Sequence, residues 1–275
     1  MTATLERSEN STVVPSRPPH RLFRWTLSPW AVLGLSLALF IYGERTIPFA
    51  VPSQFGLLAV ASPAYGASIL LAAVGFIMAI RRKSLLMAAA ATLMMIVAQR
   101  LPRAIANELP MYAWTYKHLG VVDYIEHAHA LARDVDIYNC WPGLFAATAW
   151  FSELTGLSAV TIALWFTPVF HVLFASVVYA AARAWRLSPL VAITATFIVV
   201  TLNWVEQDYF SPQATVIYLT VAILALVGLS RDRPVATVLI IILFAAATIT
   251  HQLTPYWVML MIGLLVVTKR MKPWW

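Results

Sequence analysis

Charge is scarce in this chain. Only 11% of its 275 residues are Asp, Glu, Lys or Arg, against ~25% in a typical soluble domain. With 61% apolar residues, a soluble globule would lack the polar surface to cover its core. The same composition excludes disorder, coiled coil and collagen. Cysteine is nearly missing too. Cys140 is the single one, so no internal disulfide and no cysteine-built metal site can form. No small-residue cleavage site follows a short apolar core near the start, so no signal peptide is read.

What remains is apolar sequence, enough for about eight membrane spans of ~20 residues each. The spans are read at 29–43, 56–80, 84–98, 158–182, 189–204, 212–230, 234–250 and 255–268. Four starts repeat one signature: Ser28-Pro29, Ser188-Pro189, Ser211-Pro212 and Thr254-Pro255. The hydroxyl can cap an orphan backbone N–H, and proline at the first helical position has no donor to leave orphaned. The expectation is an all-α, polytopic transmembrane bundle of about eight spans. Residues 1–27 form a disordered cytoplasmic arm, and 28–275 the transmembrane domain.

The net charge of +7 does not point to nucleic acid, because position explains it. Arg81-Arg82-Lys83, Arg183 with Arg186, Arg231 with Arg233, and Lys269-Arg270 with Lys272 follow every second span. They share a side with Arg7, Arg17, Arg21 and Arg24. Most acids fall on the other side: Glu44, Glu108, Asp123, Glu126, Asp134, Asp136, Glu153, Glu206 and Asp208. The positive-inside rule makes the first side cytoplasmic and places both termini there, in a plasma membrane. Residues 99–157 become one large extracytoplasmic loop. Within it, 142–154 (PGLFAATAWFSEL) is apolar but too short to span, and reads as an interfacial or re-entrant helix.

No Asp, Glu, Lys or Arg lies inside the eight spans, and His171 is the one histidine well within them. Ion-coupled carriers use intramembrane ionisable groups, so this absence argues against one. His171 reads as a helix-packing hydrogen-bonder. No internal or inverted repeat suggests a transporter either.

Polar chemistry instead gathers in three extracytoplasmic pieces. In the loop, Asp123–Asp136 reads DYIEHAHALARDVD. As a helix it would put Glu126 and Arg133 on one face. Asp134-x-Asp136 could hold a divalent cation or supply a general base, or simply be solvated loop. His127-x-His129 has a spacing that suits a strand or turn. The second piece is Asn203–Gln213, NWVEQDYFSPQ, where Glu206 and Asp208 exceed what a short turn needs. The third is His251-Gln252-Leu253-Thr254-Pro255, in which the helix start explains all but His251. A divalent metal could be shared by Asp208 and His251.

Three phrases, Asp136-x-Tyr138-x-x-Trp141-Pro142-Gly143, NWVEQDYFSPQ and THQLTP, resemble actinobacterial multi-spanning membrane proteins related to the GT-C glycosyltransferases. The likeness runs over roughly residues 99–260. It implies a polyprenyl-phosphate-linked sugar as donor, membrane lipid as surroundings and cell-envelope glycan synthesis. GT-C chains usually carry the acidic loop after the first span and are longer; here it follows the third. The end at Lys272-Pro273-Trp274-Trp275 reads as that of a truncated or split member. Sugar transfer needs a base for the acceptor hydroxyl and positive charge for the departing phosphate. Asp123, Glu126, Asp134 and Asp136 are the catalytic candidates. Arg100, Arg103, Lys117, Arg133, Glu206, Asp208, Tyr209, His251 and Gln252 are the candidates for substrate contact. A polysaccharide polymerase or ligase would use the same carrier and face. A lipid or glycan export component or scaffold is the non-enzymatic alternative. Asp208 and His251 are expected to line one outer cavity with at least one acid of the Asp123–Asp136 segment.

Overall fold

The computed structural model describes residues 28–47, 57–203 and 208–270. Helix takes up 78% of these, and no strand occurs among them. Ten α-helices follow in order: α1 Pro29–Glu44, α2 Pro63–Arg81, α3 Leu85–Ala106, α4 Ala113–Ala128, α5 Gly143–Thr155, α6 Ala159–Ala184, α7 Pro189–Leu202, α8 Pro212–Ser230, α9 Val235–Thr248 and α10 Thr254–Val267. Four of them, α2, α3, α6 and α8, are long and apolar enough to cross a membrane. The apolar helices α1, α7, α9 and α10 are shorter. At 1.5 Å per residue the 14 residues of α7 cover ~21 Å, less than the ~30 Å hydrocarbon core.

Serine starts many of these helices. Ser188, Ser211, Ser84 and Ser158 each accept a backbone N–H from the first turn, which satisfies one of the orphan donors at a helix start. Ser28 occupies the same position without a side-chain bond. The Thr254-Pro255 expectation fails in detail. Leu253 is the residue before α10, and Thr254 already belongs to the helix. The acceptor there is His251, whose Nδ1 takes the N–H groups of Leu253 and Thr254.

The bundle has two halves. Helices α1–α3 pack around Phe40, Tyr65, Phe76 and Met95. Helices α6–α10 form the other half, with α8 between α6 and α9. α3 joins them by packing on α6 and α7, and Phe76 stacks on Phe197 at 3.8 Å. Small residues permit close approach, as expected where helices meet without a hydrophobic drive between them. A side chain on Gly228 would sit 3.0 Å from the Ala184 backbone. Pro102 lies inside α3 and has no N–H to give the Ala98 carbonyl. The Tyr65 hydroxyl supplies the missing donor at 2.8 Å.

The two ends of the bundle differ in charge. At one end lie the turns after α2, α6, α8 and α10. Arg186 pairs with Asp232 there, and Arg231 donates to the Arg270 carbonyl. The opposite end gathers the α7–α8 and α9–α10 turns together with α4 and α5, and it carries nearly all the described acids.

Three boundaries depart from expectation. The second span begins at Pro63, behind a 3-10 turn at Leu57–Ala59, and not at 56. The third, read at 84–98 with an extension to Arg100, runs on through Arg103 to Ala106, because tertiary partners hold the two arginines. The large loop holds two helices, not one: α4 was not foreseen, while α5 falls on the expected short segment. The 13 residues of α5 cover ~20 Å, well short of a span. Its Phe145 and Ala149 are buried while Trp150, Phe151 and Leu154 face outward, an amphipathic arrangement suited to an interface.

Candidate functional site

The acidic end of the bundle contains a cavity of about 490 Å³. Three segments far apart in sequence build it. Tyr138 and Trp141 come from the turn before α5, Tyr209, Ser211 and Gln213 from the start of α8, and His251 and Gln252 from the start of α10. His118 on α4 and Trp257 on α10 complete the walls. These are the three phrases that carry the GT-C resemblance, brought to one place.

Gly143 explains part of the convergence. Its N–H donates to the Ile249 carbonyl at 2.8 Å. A Cβ there would collide with the Thr250 hydroxyl and approach the Ile249 oxygen to 3.0 Å. The Trp141-Pro142-Gly143 corner therefore docks directly on the turn that carries His251. Asp136 prepares the corner from the other side. Its Oδ1 caps the Tyr138 N–H at 2.8 Å, and its Oδ2 meets the Lys117 ammonium at 3.3 Å. That ammonium also lies 5.2 Å from the centre of the Tyr138 ring.

His118 is the best-held polar group of the site. It sits on the buried face of α4 with Thr115, Leu119 and Val122. Its ring stacks parallel to Tyr209 with centroids 5.8 Å apart and meets the edge of Tyr138 at 4.9 Å. Nδ1 lies 2.8 Å from the Phe210 carbonyl. A carbonyl can only accept, so Nδ1 carries the proton in the neutral ring and Nε2 keeps its lone pair. Burial holds the His118 pKa below the ordinary histidine value, against the opposing pull of that hydrogen bond. His251 has the opposite tautomer. Its Nδ1 accepts from two backbone N–H groups, and the Thr254 hydroxyl lies 3.0 Å away. The proton of the neutral ring is therefore on Nε2. Burial lowers its pKa as well. The cavity thus has one imidazole with an acceptor Nε2 and one with a donor Nε2. Burial also raises the pKa of Tyr209, with neighbouring Tyr138 and Tyr112 adding to the effect, so its phenol stays protonated.

Among the described residues, no Asp, Glu, Lys or Arg lines this cavity. Asp208, expected there with His251, belongs elsewhere. It is buried, and its carboxylate meets the Arg100 guanidinium at 2.6 Å. Arg100 also donates to the Asn203 carbonyl at 2.8 Å and reaches the Val200 carbonyl at 3.5 Å, where a cation suits the C-terminal end of α7. The Thr167 hydroxyl donates to the Asp208 backbone carbonyl. His171 closes the group. Its Nδ1 bonds the Thr167 carbonyl, and its Nε2 accepts from the Asn203 amide at 3.2 Å. It is a helix-packing hydrogen-bonder, as its sequence context suggested. The expected shared cavity is therefore split, and with it the Asp208–His251 metal pair. Among the described residues no three His, Cys, Asp or Glu groups stand close enough to hold a metal.

The loop acids also stand apart from the cavity. Asp123 is exposed and pairs with His127 one turn away. α4 ends at Ala128, with His129 in the left-handed conformation at φ 47°, so Glu126 and Arg133 do not share a helix face. Glu126 is half-buried, while Arg133 and Asp134 are exposed. Arg103 does reach the site's neighbourhood. It donates to the Tyr112 hydroxyl at 3.1 Å, Tyr112 stacks on Tyr209, and a small cavity lies behind Tyr209, lined by Arg100 and Arg103. Tyr209 is the wall between the two. Glu206 lies outside the described residues.

Comparison with known proteins returns no matching family model, no matching curated protein and no matching solved structure.

Proposed function

We propose that this chain is an integral membrane protein that takes the sugar of a polyprenyl-phosphate-linked donor into the outer-end cavity and transfers it, as GT-C enzymes do. The observation that carries this reading is the convergence of three distant phrases on one cavity whose described lining is largely aromatic, amide and hydroxyl. Such a lining suits a neutral polyol. Tyr138, Trp141, Tyr209 and Trp257 offer flat apolar faces, and Gln213 and Gln252 offer hydrogen bonds that orient a ring. The phosphate would stay outside, near the cations behind the tyrosine walls, Arg103 and Lys117. Arginine is suited to it by its planar fork.

The proton acceptor in this reading is His118, not a loop acid. The acceptor hydroxyl would give its proton to His118 Nε2 as its oxygen bonds to the sugar's anomeric carbon. The bond from that carbon to the phosphate oxygen breaks, and polyprenyl phosphate leaves with the electron pair. His251 Nε2–H is placed to donate to a sugar hydroxyl. The membrane frame of the proposal has eight spans, with the four shorter helices accommodated by local thinning of the bilayer. The basic end and both termini are cytoplasmic. Exposed Cys140 should then react with an impermeant maleimide on intact cells.

A glycan-binding scaffold is the second reading, favoured by the absence of Asp and Glu among the described lining residues. One experiment separates the two. The purified full chain in nanodiscs is incubated with a short-chain prenyl-phosphate hexose and an oligosaccharide acceptor, and free prenyl phosphate is measured. Acceptor-dependent release supports transfer. Saturable binding without release supports the scaffold. No binding overturns both.

A further inference from the structure

A second large cavity, of about 410 Å³, lies between α3, α6 and α7, away from the site above. Leu85 and Leu93 line it from α3, Val172, Ala175 and Tyr179 from α6, and Ile193 from α7. Of the four hydroxyl residues in its wall, the three aliphatic ones are turned inward on their own helices. Thr92 bonds the Ala88 carbonyl, Ser176 the Val172 carbonyl and Thr196 the Ala192 carbonyl. The cleft therefore presents hydrocarbon along most of its length.

One end differs. Leu85 lies two residues after Lys83, the last of the Arg81-Arg82-Lys83 run. Tyr179 lies on α6 one turn before Arg183, on the face shared with Val172 and Ala175. Ile193 is one turn past the start of α7. The exposed Lys83 and Arg183 belong to this end, one in the turn before α3 and one in the last turn of α6, where the Arg183 guanidinium also donates to the Leu187 carbonyl. The Tyr179 hydroxyl has no hydrogen-bond partner among the described residues and stands at the same level. Asp232, the one described acid at this end of the bundle, is paired with Arg186 at 3.4 Å. An apolar slot that opens between cations and a phenol complements one kind of molecule: an acyl chain ending in a negatively charged headgroup.

We propose that this cleft is a binding site for an anionic phospholipid, with one acyl chain between α3, α6 and α7 and the phosphate held by Lys83, Arg183 and the Tyr179 hydroxyl. The site does not depend on the function proposed for the outer cavity. Its position at the basic end places the lipid in the leaflet opposite that cavity.

The test uses the purified full chain in nanodiscs, with trace phosphatidylglycerol or phosphatidylcholine carrying a photoreactive group midway along one acyl chain. Cross-linked peptides are mapped by mass spectrometry. Phosphatidylglycerol should label peptides spanning residues 85–96 and 172–179 at least fivefold more than phosphatidylcholine. The double variant Lys83→Gln/Arg183→Gln should bring the two lipids level, since both side chains are exposed and their loss leaves the fold intact. Ala175→Phe, which fills the slot and leaves the rim unchanged, should lower labelling of these peptides by either lipid. Equal labelling in the wild-type chain overturns the proposal, as does a preference that survives the double variant. Labelling unchanged by Ala175→Phe also overturns it.

Discussion

Asp208 and Tyr209 are consecutive residues that serve two different regions. Asp208 turns into a buried group of Arg100, Asn203, Thr167 and His171, where charge is matched by charge and carbonyls are matched by donors. Tyr209 lines a cavity with His118, Trp141 and His251 that has no Asp, Glu, Lys or Arg among its described lining residues. The first region is held by its own ion pair and hydrogen bonds, and it ties the end of α3 to the end of α7 and to the start of the α8 segment. The second is a cavity of about 490 Å³. The lesson is that a buried charged cluster holds the helices in place, while the cavity beside it has no Asp, Glu, Lys or Arg among its described lining residues.

The comparison is broken most forcefully at Asp208. Asp208→Asn leaves a buried guanidinium without its counter-charge and should cost about 3–5 kcal/mol of stability. Thermal unfolding in detergent should show the loss. Arg100→Gln should cost a similar amount, and the double variant should be less damaged than the sum of the two singles. His118→Gln is the opposite case. Gln can still donate to the Phe210 carbonyl but removes the Nε2 acceptor, so stability should fall by only about 1 kcal/mol. Binding of a prenyl-phosphate hexose should weaken by about tenfold or more, and sugar transfer should be lost. Gly143→Ala forces a methyl into Thr250 and Ile249 and should cost about 1–3 kcal/mol, with the cavity walls loosened in proportion.

Acid sharpens the contrast without a mutation. Burial depresses the pKa of His118 and of His251, so below about pH 6.5 the unfolded chain takes up protons that the folded chain refuses. Their contribution to stability is complete above that pH and is lost as pH falls towards the depressed values. Ligand binding should stay flat until the pH falls to the depressed His118 value and weaken there, because protonation turns the His118 acceptor into a donor. In the His118→Gln variant this dependence should shrink. The smallest effect is expected at Asp134. It is exposed and makes no described contact with the cavity, so Asp134→Asn should change stability by less than about 0.5 kcal/mol and leave binding unchanged.

Much of this was legible in residue order. Ser-Pro pairs mark helix starts because hydroxyl caps and prolines act locally, and α7 and α8 begin where those pairs stand. The convergence of the Trp141, Tyr209 and His251 segments could be expected from short turns that return each helix pair to one end. The direction of Asp208 could not. In a turn, neighbouring side chains face opposite ways, and neither propensity nor periodicity says which. Arg100 reads as a flanking residue snorkelling from the end of its helix, whereas its partners are Asp208 and carbonyls at the end of a helix a hundred residues later. His118 carried a faint signal. Thr115, His118, Leu119 and Val122 recur at helical spacing on one buried face, but Lys117 and Tyr116 between them mask the stripe.

The claim that the neutral cavity receives the ligand, and the charged cluster does not, can be tested by one titration. A short-chain prenyl-phosphate hexose is titrated into nanodisc-held protein, wild-type, Tyr209→Leu and Asp208→Asn, at a temperature where all three are folded. The account predicts that Tyr209→Leu weakens binding by about tenfold or more while Asp208→Asn binds as the wild type does. Binding lost in Asp208→Asn and retained in Tyr209→Leu would contradict it.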